Sequence, residues 1–353
     1  MSAARRDDAV HHRPPSALTR VARGLSPRNL SALYVFALIF VLFAILVPGT
    51  FLTGTTWRTL LNDQAIVALA AVALVPPLAA GVYDLAIGAE LGLSGILVAW
   101  LIVNKGVPAG AAIVVCLLAG ALVGLTSGLL VTRVRIMSFV ATLAMSSILI
   151  AATNGVSGGV QITGLPDSFQ SLATTQIFGV QSDVYIMVAV AVVVWYALER
   201  TRVGRRVYAT GGNPDAARLS GVNTARIIVG AFIVCGIIAA FAGVLLSSQL
   251  ATGDPTLGPG YLLPAFSAAF LGSTQFGRGR FNVVGTVLTV YVLAVGVKGL
   301  QLAGAPTWVP DLFNGVALLL AVGIAQWRRR APRPEGHTGW AARLVGRRTA
   351  SQH

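Results

Sequence analysis

Apolar runs long enough to cross a lipid bilayer recur along the chain from residue 31 to residue 327. A transmembrane helix needs about 20 mostly apolar residues, because it rises about 1.5 Å per residue and the hydrocarbon core is roughly 30 Å thick. Ten segments meet or approach that length: 31–47, 62–80, 88–103, 109–131, 137–155, 184–199, 226–250, 261–275, 282–299 and 309–327. Only 11% of the 353 residues are charged, against about 25% in a soluble domain, so lipid and not water is the main solvent. The expected fold is an all-α polytopic membrane protein of about ten transmembrane helices. It divides into a basic tail (1–30), one transmembrane domain (31–327) and a second basic tail (328–353).

A formal charge of +14 would suit a nucleic-acid partner if the cations formed one face. Their placement argues against that. Of the 26 Lys and Arg, six lie in 1–30 and seven in 328–353, and nearly all the rest fall in short gaps between apolar runs. Basic residues hold such gaps on the cytoplasmic side. Ten spans with both termini in the cytosol put 23 cations inside and leave Arg58, Lys105 and Lys298 outside, which makes this the expected topology. About thirty polar residues precede the first apolar run and no small-residue cleavage site closes it, so that run is expected to remain as the first span.

The sequence lacks the means for most chemistry. All four histidines, His11, His12, His337 and His353, lie in the tails, so the apolar region has no imidazole for proton transfer or metal binding. No phosphate-binding G-x-x-x-x-G-K-[ST] loop, HExxH or paired-cysteine motif occurs. Cys116 and Cys235 read as buried small residues. The chain does not look like an enzyme, and a motor for powered transport would be another subunit or an ion gradient. Ion coupling usually needs ionisable groups within the membrane; Asp63, Asp84 and Glu90 lie near expected helix ends, where a carboxylate can reach water.

Gly120, Gly124 and Gly128 share one helix face and read as a packing seam, as do Gly88 and Gly92. Pro76 and Pro77 should break or kink the second span. Such a span is either a candidate for lining a path or a kink that serves packing. The gap 156–183 holds no Lys or Arg and is rich in Gly, Ser, Thr and Gln. It is expected to be a structured outer loop, either a docking site for a receptor or a solvated connector.

The longest cytosolic gap, 200–226, contains a complete short helix. Asn213 is a good N-cap and Pro214 fits the first helical position. Asp215 complements the positive end, Arg218 the negative end, and Gly221 the left-handed stop. About seven residues cannot hold a helix alone in water. Ala216, Ala217 and Leu219 offer a small apolar surface for another protein or for the chain's own bundle.

The stretch from Arg205 through Tyr208, Gly211, Gly212, Asn213, Pro214, Asp215, Ala216, Ala217, Arg218, Leu219 and Ser220 to Gly221 resembles the coupling-helix motif of the ribose/xylose/arabinose-type ABC sugar permeases, within the branched-chain amino acid/sugar permease superfamily. Two further stretches match. Gly81-Val82-Tyr83-Asp84-Leu85-Ala86-Ile87-Gly88 is similar to the family's G-G-I-D-L-S-V-G, and Leu271-Gly272-Ser273-Thr274 through Gly277 and Gly279 to Gly285-Thr286 is similar to its L-G-G-T-S…G-G-x-G…G-T. Tyr83, Ala86 and Ser273 depart from the pattern.

The resemblance implies that 211–221 docks into an ATP-binding subunit, which itself holds ATP and magnesium, this chain carrying no cofactor. It also implies a second permease copy, an external sugar-binding protein, the bacterial cytoplasmic membrane as location, and alternating-access import of a monosaccharide. A nucleoside, autoinducer or branched-chain amino acid as cargo, or an ion-coupled carrier, are the alternatives. Asp84 and Leu85, with Gly88, Pro76 and Pro77, are the candidates for gating; Asp84 equally fits as a cap of the third span.

Overall fold

The computed structural model describes residues 31–275 and 279–330. The tail 1–30 and residues 331–353, with all four histidines, lie outside the described residues, as do Gly277 and Arg278. The described chain is almost entirely helical. Helix α1 (Ser31–Leu46) and the single turn α2 (Pro48–Phe51) lead into α3 (Gly54–Ala79) and α4 (Ile87–Ala99), which a π-helical turn carries on to Asn104. Next come α5 (Ala109–Leu129), also extended by a π turn, and α6 (Ser138–Ser157). After α7 (Asp167–Thr174) follow α8 (Ser182–Arg200), α9 (Arg202–Gly212), α10 (Pro214–Leu219) and α11 (Thr224–Leu250). The chain closes with α12 (Leu262–Gln275), α13 (Val283–Leu302) and α14 (Val309–Arg330).

Seven helical segments among the described residues are long and apolar enough to cross a membrane: Gly54–Ala79, Ile87–Asn104, Ala109–Val134, Ser138–Ser157, Ser182–Arg200, Thr224–Leu250 and Val283–Leu302. Helix α3 is the hub. It packs against α8, α11, α12 and α13, and from Leu69 through Val75 every residue is buried. A helix apolar all round belongs in the centre of a bundle. By contrast α5, α6 and α8 turn Leu118, Leu122, Val140, Ile148, Val192 and Val193 outward, as lipid-facing helices do.

The seam along α5 packs on α11, as the glycine spacing implies. A Cβ at Gly120 would meet the Gly236 carbonyl oxygen at 2.5 Å, one at Gly124 would overlap the Phe232 carbonyl, and one at Gly128 would press on Val229. Such close backbone approach substitutes van der Waals contact for the hydrophobic drive that lipid does not supply.

The run expected to span over 261–275 is only the 14-residue α12, about 21 Å long. Beyond α11 the chain doubles back along α4. Gly253 lies against Gly95 and Ala99, and Gly258 against Gly88 and Gly92, so Gly88 and Gly92 make room for a backbone. Helix α12 therefore begins beside Gly88, at the start of α4, and not at the level where α11 ends. The same cover explains a second departure from expectation. Asp63 keeps a half-exposed side chain, but Asp84 and Glu90 are 2% and 1% exposed, because α11 and the returning chain close over the start of α4.

The expected break at Pro76 and Pro77 is absent. Helix α3 continues through both and ends at Ala79. Their missing N–H groups fall in its closing turns, where little helix remains to be disturbed, and the Ala80 and Val82 N–H groups donate to the Pro76 and Pro77 carbonyls at 3.0 Å. Both prolines are buried.

The 156–183 segment is structured. Strand β1 (Ile162–Thr163) pairs antiparallel with β4 (Thr252–Gly253), and β2 (Gln176–Ile177) with β3 (Val180–Gln181). Helix α7 buries Phe169 and Ala173 and is pinned to α11 by Ser248, whose Oγ donates to the Phe169 carbonyl (2.7 Å) and accepts from the Ala173 N–H (3.1 Å).

Candidate functional site at the arginine-rich end

The short helix is built as its residues dictate. Asn213 Oδ1 accepts from the Ala216 N–H at 3.0 Å, Pro214 takes the first position, and the six-residue α10 ends on Gly221 at φ +80°. It projects from the bundle: Leu219 is 92% exposed, whereas Ala217 is buried. The apolar surface expected from three residues therefore reduces to Ala216 and Leu219, since the 3.6-residue period turns Ala217 to the opposite side. Arg218 Nη1 meets Asp215 Oδ1 at 3.3 Å and its Nε donates to Thr224 Oγ1 at 2.9 Å. Beside it a groove of about 800 Å³ runs between α10, α11 and the end of α5, with Arg135 and Arg218 in its wall.

The preceding helix, α9, was not separated from the loop by sequence reading. Thr201 caps it by accepting from the Gly204 N–H at 3.3 Å, and Gly204, Val207 and Thr210 form its buried face. A threonine cap followed by that three-residue repeat was the available signal.

Three stretches far apart in sequence meet here. Gly211 closes α9 directly on the carbonyl of Ala79, the last residue of α3, and a Cβ on Gly81 would stand 3.2 Å from the Gly211 Cα. The coupling-like segment thus touches both the hub helix and the Gly81–Gly88 loop. Tyr208, one turn earlier, reaches the Phe281 carbonyl at 2.8 Å and Glu199 Oε1 at 3.0 Å, while the Arg280 guanidinium lies 3.9 Å over its ring. Burial, reinforced by the Glu199 charge, pushes the Tyr208 phenol well up, so it remains a protonated donor. Within the third stretch Gly272 packs on Gly285 and Thr286. The remaining pair is joined by Tyr83, whose ring stacks on Phe270 at 6.3 Å and 6°.

The Gly81–Gly88 loop is clamped from α6. Ser138 Oγ accepts from the Tyr83 N–H (3.1 Å), and Thr142 Oγ1 from the Leu85 N–H (3.0 Å). Neither Ser138 nor Thr142 stood out in the sequence; an ordinary hydroxyl in an apolar helix carries no signal of its partner. Asp84 does not cap α4 at its first turn. Its Oδ1 accepts from the N–H of Ala86 at 3.0 Å, the residue just before the helix. Burial pushes its carboxyl up to about 6, with the Ala86 N–H and the Cys235 thiol pulling the other way. Leu85 is half-buried and Gly88 is the backbone contact for Gly258. Pro76 and Pro77 lie in the core one turn before this loop and away from the groove. Among the described residues no group of three or more metal-ligating side chains gathers.

Comparison with known proteins agrees with this architecture. The family described as "Branched-chain amino acid transport system / permease component" matches residues 56–322. The chain is 34% identical over 290 residues to the ribose import permease protein of Escherichia coli K12, covering 80% of this chain and 90% of that one. It is 32% identical over 304 residues to the L-arabinose ABC transporter permease protein of Azospirillum brasilense (85% and 88%). It is also 30% identical over 308 residues to the fructose import permease protein of Rhizobium meliloti (84% and 85%). No solved structure matches the chain. The chain, a helical bundle with seven membrane-length helices among its described residues, is matched over three quarters of its length and belongs to the branched-chain amino acid transport system permease family.

Proposed function

We propose that the chain is the membrane-spanning permease subunit of an ATP-binding cassette importer that moves a monosaccharide across the bacterial cytoplasmic membrane. The cargo follows from relatives named for ribose, arabinose and fructose. One observation carries the mechanism: Gly211, at the root of an exposed helix too short to stand alone, rests on both the end of the hub helix and the Gly81–Gly88 loop. A separate ATP-binding subunit, holding ATP and magnesium, grips α10, from Asn213 to Ser220, in and around the adjoining groove. Closure of that subunit pushes through Gly211 and Gly212 on Ala79 and Gly81, and so on Asp84, Leu85 and Gly88. Pro76 and Pro77 stiffen the end of α3 against that push.

In this reading α1, α12 and α14 complete about ten crossings of the domain 31–327, and both basic tails, 1–30 and 328–353, are cytosolic with the arginine-rich loops. The α7 and β2–β3 segment faces outward to receive an external sugar-binding protein. A second copy completes the pathway in a lipid-embedded homodimer. Nucleic acid has no part in it. The chain itself performs no covalent chemistry.

A cysteine at Leu219 tests the docking directly. It should crosslink to the ATP-binding subunit in membranes, and Arg218→Glu or deletion of 213–220 should abolish co-purification of that subunit while leaving membrane insertion intact. Normal co-purification with the deletion would refute the docking role.

A further inference from the structure

At the end of the bundle away from α10 a second cavity, of about 440 Å³, opens between the early turns of α3, the last turn of α11 and the chain entering α8. Its polar wall includes Asn62, Asp63, Gln181, Gln249 and Tyr261, and Leu246 adds to its apolar floor. Asn62 and Asp63 lie about 24 Å along α3 from Ala79. The wall is held in place: the Gln181 N–H donates to Asn62 Oδ1 at 3.2 Å, and Lys298 Nζ faces Asp63 Oδ2 at 4.0 Å. Yet Gln181 Oε1 is shielded from solvent and accepts no hydrogen bond among the described residues. Buried amide oxygens normally find a donor; closed to a water-sized group as it stands, this one becomes available to a ligand hydroxyl when the Gln181 side chain turns into the cavity.

We propose that this cavity is a binding site for a neutral polyhydroxylated ligand, a monosaccharide, within a single copy of the chain. Hydroxyls both donate and accept, which suits a wall of two glutamines, an asparagine and a carboxylate, while Tyr261 and Leu246 offer apolar surface to the C–H faces of a ring. The charge pattern separates this ligand from an amino acid. A zwitterion would need a cation for its carboxylate, but among the described residues Asp63 is the one charged group in the wall and Lys298 is already turned to it; Arg58 lies against Gly179 and outside the lining. The size falls in the range of small-molecule sites, about 300–1,000 Å³. The site rests on the importer reading above and supplies a place for the sugar on the permease itself.

The test uses the complete transporter in membrane vesicles, with ATP inside and D-ribose, D-fructose, L-arabinose and L-leucine as probes. Gln181→Leu and Gln249→Leu should each lower sugar uptake at least tenfold. Association of the ATP-binding subunit should stay within twofold in both variants, and in Gln249→Leu, which lies outside the β2–β3 segment, so should its stimulation by the external binding protein. Should Gln181→Leu fail to accumulate in the membrane, Gln249→Leu decides by the same criterion. A cysteine at Leu250, in the same lining, should also be protected from thiol reagents by the transported sugar and not by leucine. Uptake within twofold of wild type for the accumulated variants would overturn the site while leaving the importer reading intact. A wild-type transporter that moves leucine and none of the sugars would overturn both.

Discussion

Gly211 is held where a side chain has no room, since its Cβ position is already taken by the Ala79 carbonyl oxygen. Gly211→Ala must push α9 off the end of α3. Overpacking of this kind costs about 1–3 kcal/mol, so the detergent-solubilised variant should melt at a lower temperature. If the contact transmits force, motor ATPase activity should also lose its dependence on loaded binding protein. The Asp84 carboxyl gives a pH signature. Its folded-state value of about 6 lies above the ordinary 3.8, so the folded protein binds the proton more tightly than the unfolded chain. The stability this contributes is full below pH 4 and falls as pH rises to about 6, by roughly 3 kcal/mol in all. The melting temperature of wild type relative to Asp84→Asn should therefore drop between pH 4 and pH 6.5; an unchanged difference would mean the carboxyl is not buried. Asp84 was recognisable in the sequence from its glycine-flanked setting, but Ser138 and Thr142, which clamp its loop, were not, because a hydrogen bond across more than 50 residues leaves no local trace.

Among the elements, those specified by near neighbours were the legible ones. Helix α10 follows from its cap, its proline and its stop, all within nine residues, and the glycine seam of α5 follows from a four-residue repeat. The partner of that seam did not: Gly236 and Phe232 on α11 are known only once the bundle is assembled. Helix α12 (Leu262–Gln275) was legible as the apolar segment 261–275, but its approach was not. Hydropathy counts apolar residues without sensing that the chain has first turned back along α4. The seam is the most exacting packing contact, and Gly124→Leu should force α5 from α11. The expected result is loss of several degrees in melting temperature, corresponding to at least about 1–3 kcal/mol, with Gly110→Leu, where a Cβ meets nothing within 4 Å, as the harmless control. Equal stability of the two variants would contradict the packing.

At the scale of the whole molecule, charge and function divide the bundle into two ends. The arginines at 133, 135, 200, 202, 205, 206, 218 and 226 gather with α9 and α10, while Asn62, Asp63, Gln181 and Gln249 line the cavity at the other. Basic loops stay in the cytosol, so cysteines placed at Leu219 and Phe178, both almost fully exposed, should react with a membrane-impermeant thiol reagent from opposite sides of the membrane. Reaction of the Leu219 cysteine from the outside would put α10 on the wrong face and remove the surface on which a cytosolic motor could act. The central claim is that this bundle does no work alone and is driven through α10 by a separate ATP-hydrolysing subunit. Sugar uptake into proteoliposomes measures it most directly. The account predicts uptake with internal ATP and the motor subunit present, and none with a proton gradient alone or with 213–220 deleted; uptake sustained by the gradient without ATP or motor would contradict it.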